Sequence, residues 1–218
     1  MSNNPWKTYA NLYQDYCDDK GRVSTSVVFP RVLELIGDLA GKLVLDFGCG
    51  EGRFSRHLYD LGSKVTGFDP SEPLINIARK LNDGRDITYT SNLDSLPEGN
   101  FEIALCFMVL MCNSKSKSLA LIQDIFRLTT DDSIICFVNR NTDNLGEKFK
   151  DFYSEEPLDR VAGSPYKTTL LTSQGNIEVT DHYYSPSDLR NMYSISGFKV
   201  RWEEIVMEQF VIHLLHKI

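Results

Sequence analysis

The segment running from Leu43 through Asp46, Gly48, Gly50 and Gly52 to Phe54 restricts the fold more than any other part of the chain. Its apolar start, Leu43 to Leu45, reads as a buried parallel strand. Glycines at 48, 50 and 52 then allow a tight turn and a close approach of backbone to a ligand. From Arg53 a helical pattern sets Phe54, Leu58 and Leu61 on one face. Strand, glycine turn and helix in that order form a nucleotide-binding unit, with the ligand at the open end of the sheet beside the helix N-terminus. The acid at the strand tip selects among nucleotides. Asp46 would face a pyrophosphate at short range, where like charges repel. The dinucleotide fingerprint GxGxxG also asks for a glycine where this chain has Arg53. A nucleoside bearing a cation suits this turn better than one bearing phosphates.

The pattern Asp46-x-Gly48-x-Gly50-x-Gly52 resembles the first motif of the class I S-adenosylmethionine-dependent methyltransferases. A second acid follows in register. Lys64 to Phe68 reads as the next strand, and Asp69 at its end stands about 20 residues beyond the turn, where an acid accepts hydrogen bonds from ribose hydroxyls. The resemblance covers nearly the whole chain. It implies an α/β fold with a Rossmann-like, doubly wound, seven-stranded sheet, mostly parallel with an antiparallel last strand. It also implies S-adenosyl-L-methionine as cofactor and S-adenosyl-L-homocysteine as product. By the same resemblance Asp46 holds the methionine amino group directly or through water. Gly48, Cys49 and Gly50 bring backbone to the cofactor, Gly52 lets the helix start pack closely, Asp69 binds the ribose and Pro70 lies against the adenine. Thr90 to Pro97 is similar to the third motif. There Asn92 replaces the usual acid, with an amide carbonyl that can accept from the adenine amino group, and Asp94 is a rival for that role. The Leu93 N–H serves a ring nitrogen. Cys106 and Phe107, at the end of the fourth strand, border the methionine portion, and Met111 packs near the sulfonium. Tyr16 is the aromatic expected to touch the cofactor.

With 218 residues and 42% hydrophobic composition the chain suits one globular domain. A formal net charge of −7 argues against a broad nucleic-acid footprint, which needs clustered Lys and Arg. No apolar run approaches membrane-spanning length and Met1 to Trp6 lacks a signal-peptide pattern, so a soluble, cytoplasmic protein with no membrane partner is expected. The five cysteines are odd in number and include no CxxC pair, so neither a disulfide framework nor a metal site is expected. Cys106 and Cys136 read as small buried hydrophobes. His213 and His216 fall on opposite faces of a strand and read as structural.

Strands at 64–68, 87–90, 101–107 and 134–138 alternate with helices at 53–61, 71–81 and 119–128, which implies right-handed parallel crossovers. A helix over 186–196, ended by Gly197, precedes a hairpin of Phe198–Val206 and Phe210–His216. Residues 1–40 form an expected helical lid, with Trp6, Tyr9, Tyr13 and Tyr16 on one face. Residues 140–184 break the rhythm and read as an insertion covering the substrate side, with a hairpin across Gln174-Gly175-Asn176.

Methyl transfer from a sulfonium is an in-line displacement in which alignment supplies much of the rate. The expected activity is transfer to an N or O atom of a small metabolite. A methyltransferase acting on RNA or protein, or a non-catalytic nucleoside-binding partner protein, are the alternatives. His182 is the candidate general base, since an unperturbed imidazole titrates near neutrality. Tyr9, Tyr13, Arg140 and Tyr183 are the candidate substrate contacts, Arg140 because a guanidinium matches a carboxylate. A monomer or homodimer is expected.

Overall fold

The computed structural model describes residues 5–18 and 22–218. Among them the helices are α1 (Pro5–Thr8), α2 (Ala10–Asp18), α3 (Phe29–Ile36), α4 (Arg53–Asp60), α5 (Glu72–Lys80), α6 (Lys115–Leu128) and α7 (Pro186–Ile195). The strands are β1 (Leu43–Phe47), β2 (Lys64–Phe68), β3 (Thr88–Thr90), β4 (Phe101–Phe107), β5 (Thr129–Arg140), β6 (Phe152–Ser154), β7 (Pro165–Thr172), β8 (Gly175–His182), β9 (Phe198–Val206) and β10 (Phe210–Lys217). A seven-stranded sheet runs in the order β3-β2-β1-β4-β5-β10-β9. β1 pairs in parallel with β2 and β4, whereas β10 runs antiparallel to both β5 and β9. This is the expected Rossmann-like fold with its last strand reversed.

Both faces of the sheet are covered, so its central strands are apolar at successive positions. Val44, Ile103, Leu105, Cys136 and Ile212 point to the layer built by α3, α4 and α5, through Val32, Leu58 and Ile75. Leu45, Ala104, Cys106, Phe137 and Val211 point to the layer of α6 and α7, through Ile122, Ile125 and Tyr193. The period of two in the strands thus allots residues to opposite helical layers. A capping box starts α7, with Ser185 and Asp188 each bonding the other's backbone N–H.

Several element ends differ from the sequence reading. β5 begins at Thr129 and continues to Arg140, and α6 begins at Lys115. Leu61 lies one residue beyond α4 and is 50% exposed, so it takes no part in the core face. The 140–184 region holds a separate three-stranded antiparallel sheet, β6-β7-β8. Its hairpin pairs Thr172 with Gly175, so the turn falls on Ser173 and Gln174, one position earlier than expected.

The N-terminal helices rest on that small sheet. Trp6, Tyr9, Tyr13 and Tyr16 pack with Phe152, Leu170, Ile177 and Val179. The Ser71 hydroxyl donates to the Trp6 carbonyl at 3.1 Å and ties α1 to the end of β2. The small sheet and α2 therefore stand over the C-terminal ends of β1, β4 and β5, the edge at which open α/β sheets bind ligands. No helix among the described residues is long and apolar enough to cross a membrane.

Candidate active site

The turn after β1 is fastened to the tip of β2. The Gly48 and Cys49 amides donate to the Phe68 carbonyl at 2.7 and 2.9 Å, and the Gly50 amide donates to Asp69 Oδ2 at 3.0 Å. A pyrophosphate site needs turn N–H groups aimed at the ligand; here these are spent on protein acceptors. Gly48 has φ +84°, and a Cβ there would come within 2.3 Å of Val109 Cγ2, so only glycine fits. Gly52, also left-handed, starts α4 where a Cβ would meet the Tyr89 hydroxyl at 2.6 Å. It faces no cavity and serves packing.

An outer cleft of about 580 Å³ opens beside this turn, walled by Trp6, Gly50, Asp69, Pro70, Leu74 and Val109. Asp69 is almost fully buried, and its other oxygen accepts from the Ser71 amide at 2.8 Å. Burial raises its pKa to about 6, against the lowering effect of the Ser71 and Gly50 N–H groups. Each carboxylate oxygen retains a lone pair for a ligand hydroxyl.

Asp46 does not reach the cleft wall. It is buried beneath the turn, where it accepts from the Ser55 hydroxyl at 2.5 Å and joins β1 to α4. Burial likewise raises it to about 6, with Ser55 opposing. Asn92 and Leu93 also line neither cavity. Asn92 is exposed and its side chain accepts from the Asp94 amide at 3.2 Å, capping a short 3₁₀ turn that takes in Leu93 and Asp94. Cys106 is buried in the α6–α7 layer.

A second, inner cavity of about 150 Å³ lies between the main sheet, α2 and the small sheet. Cys49, Tyr16, Met111 and Arg140 line it. Tyr16 and Met111, expected against the cofactor, thus face this compartment and not the outer cleft. Tyr9 lines the outer cleft. Tyr183 lines neither, packing with Leu145 and Tyr166 because it follows the end of β8. Trp6, Tyr13, Gly48, Phe107, Met108 and Cys112 border both compartments and form the seam between them.

Strand alternation sorts β8 between the two. Val179 and Asp181 face the inner cavity, whereas Glu178, Thr180 and His182 face the outer cleft. His182 Nδ1 sits 3.2 Å from the Met111 carbonyl and burial lowers its pKa. It is held as a loop contact on the cleft side, away from the inner cavity.

The inner cavity contains Arg140, expected as a substrate contact, together with charges that sequence reasoning did not place there. Arg22 lies over the face of the Tyr16 ring and pairs with Asp151 at 3.6 Å. Arg140 is buried, with its guanidinium carbon 4.1 Å from the Phe152 ring centre and 5.0 Å from that of Phe149. Its Nη2 donates to Asn144 Oδ1 at 3.4 Å, while Nε has no hydrogen-bond partner. Asp181 is 1% exposed, with the Thr168 hydroxyl and the Cys112 thiol beside it, and neither of its carboxylate oxygens accepts a hydrogen bond of normal geometry. Glu51, also on this wall, is held by Arg53 at 3.4 Å and Arg56 at 2.7 Å. The period-two pattern along 177–182 was the one sequence signal that could have found Asp181.

Comparison with known proteins agrees with this geometry. The methyltransferase domain family matches residues 25–202. A malonyl-[acyl-carrier protein] O-methyltransferase of Pectobacterium atrosepticum is 29% identical over 186 residues, which cover 79% of this chain and 70% of that protein. A second such enzyme, of Yersinia pestis, is 28% identical, and the match spans 55% of its length. Among solved structures, a protein of Pyrococcus horikoshii superposes with a TM-score of 0.78 at 16% identity, covering 97% of this chain and 99% of that one. The chain belongs to the class I S-adenosylmethionine-dependent methyltransferases. The outer cleft suits the cofactor of that family: a buried carboxylate with acceptor capacity shares its wall with Trp6, Pro70, Leu74 and Val109, and a glycine turn admits close approach without offering its amides to phosphate.

Proposed function

We propose that this enzyme moves a methyl group to an O or N atom of a small molecule held in the inner cavity. The seam carries this reading. Two compartments that share Gly48, Tyr13, Met108 and Cys112 as walls can hold a donor and an acceptor side by side across those residues. Asp69 would hold the ribose hydroxyls, Gly48 and Gly50 would lie against the donor, and Pro70 and Leu74 would flank the adenine side of the cleft. When bound, S-adenosylmethionine supplies a methyl group already activated by its sulfonium. The protein's contribution is then alignment and exclusion of water, both of which a recessed cavity favours.

The small volume of the inner cavity favours a metabolite over a polymer. At about 150 Å³ it compares with engineered cavities that hold one benzene-sized ring. The N-terminal helices and the small sheet would act together as a lid, since they pack on each other and line the cavity on the side away from the main sheet. Calorimetric titration with S-adenosylhomocysteine, followed by radiolabelled methyl transfer from S-adenosylmethionine to a panel of amines, phenols and carboxylic acids, tests the assignment. Binding and transfer to one class of small acceptor are expected. Failure to bind the thioether, with binding of a phosphorylated dinucleotide instead, would overturn it.

A further inference from the structure

We propose, resting on the methyltransferase reading, that Asp181 is the general base of the inner cavity and Arg140 its anion anchor. The acceptor is then a single-ring aromatic acid bearing a hydroxyl group that becomes methylated. Asp181 and Arg140 are both buried, both line the cavity, and neither forms an ion pair with any described residue. Neither carboxylate oxygen of Asp181 accepts a hydrogen bond of normal geometry, and the Nε of Arg140 lacks a hydrogen-bond partner. Burying such groups without partners is unfavourable, and a molecule presenting an O–H to one and an anionic oxygen to the other offsets both costs.

Position selects Asp181 over the neighbouring imidazole. Asp181 lies beside Cys112, a seam residue, and faces the acceptor side, while His182 points across β8 to the cleft. Aromatic walls fix the shape of the guest: Tyr16, Phe54, Phe107, Phe152 and Phe210 surround the space, and its volume admits one ring. The other charged or titratable groups turned toward Asp181 are Arg140 from β5, Tyr166 from the paired position of β7, and Cys112 after β4. Arg22 and Asp151 share the cavity but are paired with each other.

The reaction balances without a further reagent. A lone pair of the acceptor oxygen forms the new O–CH₃ bond, and the bond from that methyl to the donor sulfur breaks with its electrons left on sulfur. The O–H proton passes to the Asp181 carboxylate and leaves to water with the product. Burial holds the Asp181 pKa near 6, against the influence of Thr168, Arg140 and Cys112. The base is therefore ionised above that pH, and its basicity is close to what proton acceptance near neutrality requires.

The test uses the full chain saturated with S-adenosylhomocysteine and titrated with the 2-, 3- and 4-hydroxybenzoates by calorimetry. At least one isomer should bind, and Arg140→Gln should weaken it tenfold or more while thioether affinity changes less than twofold. With S-adenosylmethionine the product should be the methyl ether, and kcat/KM should rise with pH to a plateau with its limb near 6. Asp181→Asn should lower kcat/KM about 100-fold and abolish that limb, and Asp181→Glu should restore part of both. Thioether binding without binding of any hydroxybenzoate, methyl ester as the product, or a limb unchanged in Asp181→Asn would each overturn the proposal. A wild-type chain that fails to bind the thioether would instead overturn the methyltransferase reading, and this proposal with it.

Discussion

The outer cleft and the inner cavity meet at one seam yet treat buried charge in opposite ways. In the cleft, the Asp69 carboxylate is clasped by the Gly50 and Ser71 amides, so backbone fixes its position without a counter-charge. In the cavity, Arg140 and Asp181 protrude on side chains and leave hydrogen-bonding atoms unused. The first arrangement is complete before any ligand arrives, and a common cofactor can exploit it. The second becomes favourable only with the right guest, since every unmet donor or acceptor penalises the wrong one. On this view donor binding is a property of the turn, and acceptor choice is a property of the lid and small sheet.

Asp69→Ala should break the comparison most sharply. It removes the carboxylate proposed to accept from the cofactor's hydroxyls, and hydrogen bonds to charged groups are each worth about 1.5–3 kcal/mol. Affinity for S-adenosylhomocysteine should fall on the order of 100-fold by calorimetry, with the chain still folded by circular dichroism. Unchanged affinity would remove the ribose assignment. Gly48→Ala comes next. Its Cβ would crowd Val109 in a left-handed backbone, so both cofactor binding and stability should suffer, stability by about 1–3 kcal/mol. Gly52→Ala should cost a similar or smaller amount of stability through Tyr89 while leaving cofactor affinity within about twofold, because Gly52 faces no cavity. Urea unfolding paired with calorimetry separates the two glycines, and equal losses of affinity would show that the turn acts only as a unit.

The same contrast explains what was legible in the sequence. The cleft is written locally: Gly48, Gly50 and Asp69 belong to one strand–turn–helix–strand unit, and spacing alone places them together. The doubly wound sheet was legible for the same reason, since its strands and helices alternate in order. Asp46 shows the limit of that reading, because sequence gives its place at the strand tip but not the Ser55 hydroxyl that turns it inward. Asn92 likewise carried the family's position and was claimed by its own turn. The inner cavity joins Tyr16, Arg22, Arg140, Asp151 and Asp181, which meet only when α2 and the small sheet fold over β5. No local spacing encodes that meeting. His182 was chosen for its chemistry, whereas the pleat of β8 gives the cavity to its neighbour.

The smallest expected effect concerns stability and pH, and it isolates the inner cavity from the cleft. Asp181 titrates near 3.9 in an unfolded chain and at about 6 in the folded one. A raised folded value contributes stability that is full below about pH 4 and is lost as pH climbs through 6. The wild type therefore carries a buried charge above pH 6 that Asp181→Asn does not. The shift corresponds to roughly 3 kcal/mol at most, and the unpaired amide of the variant should reduce the net gain to about 1 kcal/mol. Asp181→Asn should thus unfold a few degrees above wild type at pH 7.5, the gap shrinking as pH falls through 6 and reversing by about pH 4, where the wild-type carboxyl is protonated. Asp69 titrates in the same window through the same physical cause, burial, but it is common to both proteins and cancels in the difference. Saturating hydroxybenzoate should narrow the gap at pH 7.5, because a guest whose O–H bonds to the carboxylate stabilises the wild type more than the variant. A gap of equal size at pH 4 and 7.5 would show that position 181 acts through packing and not through its charge.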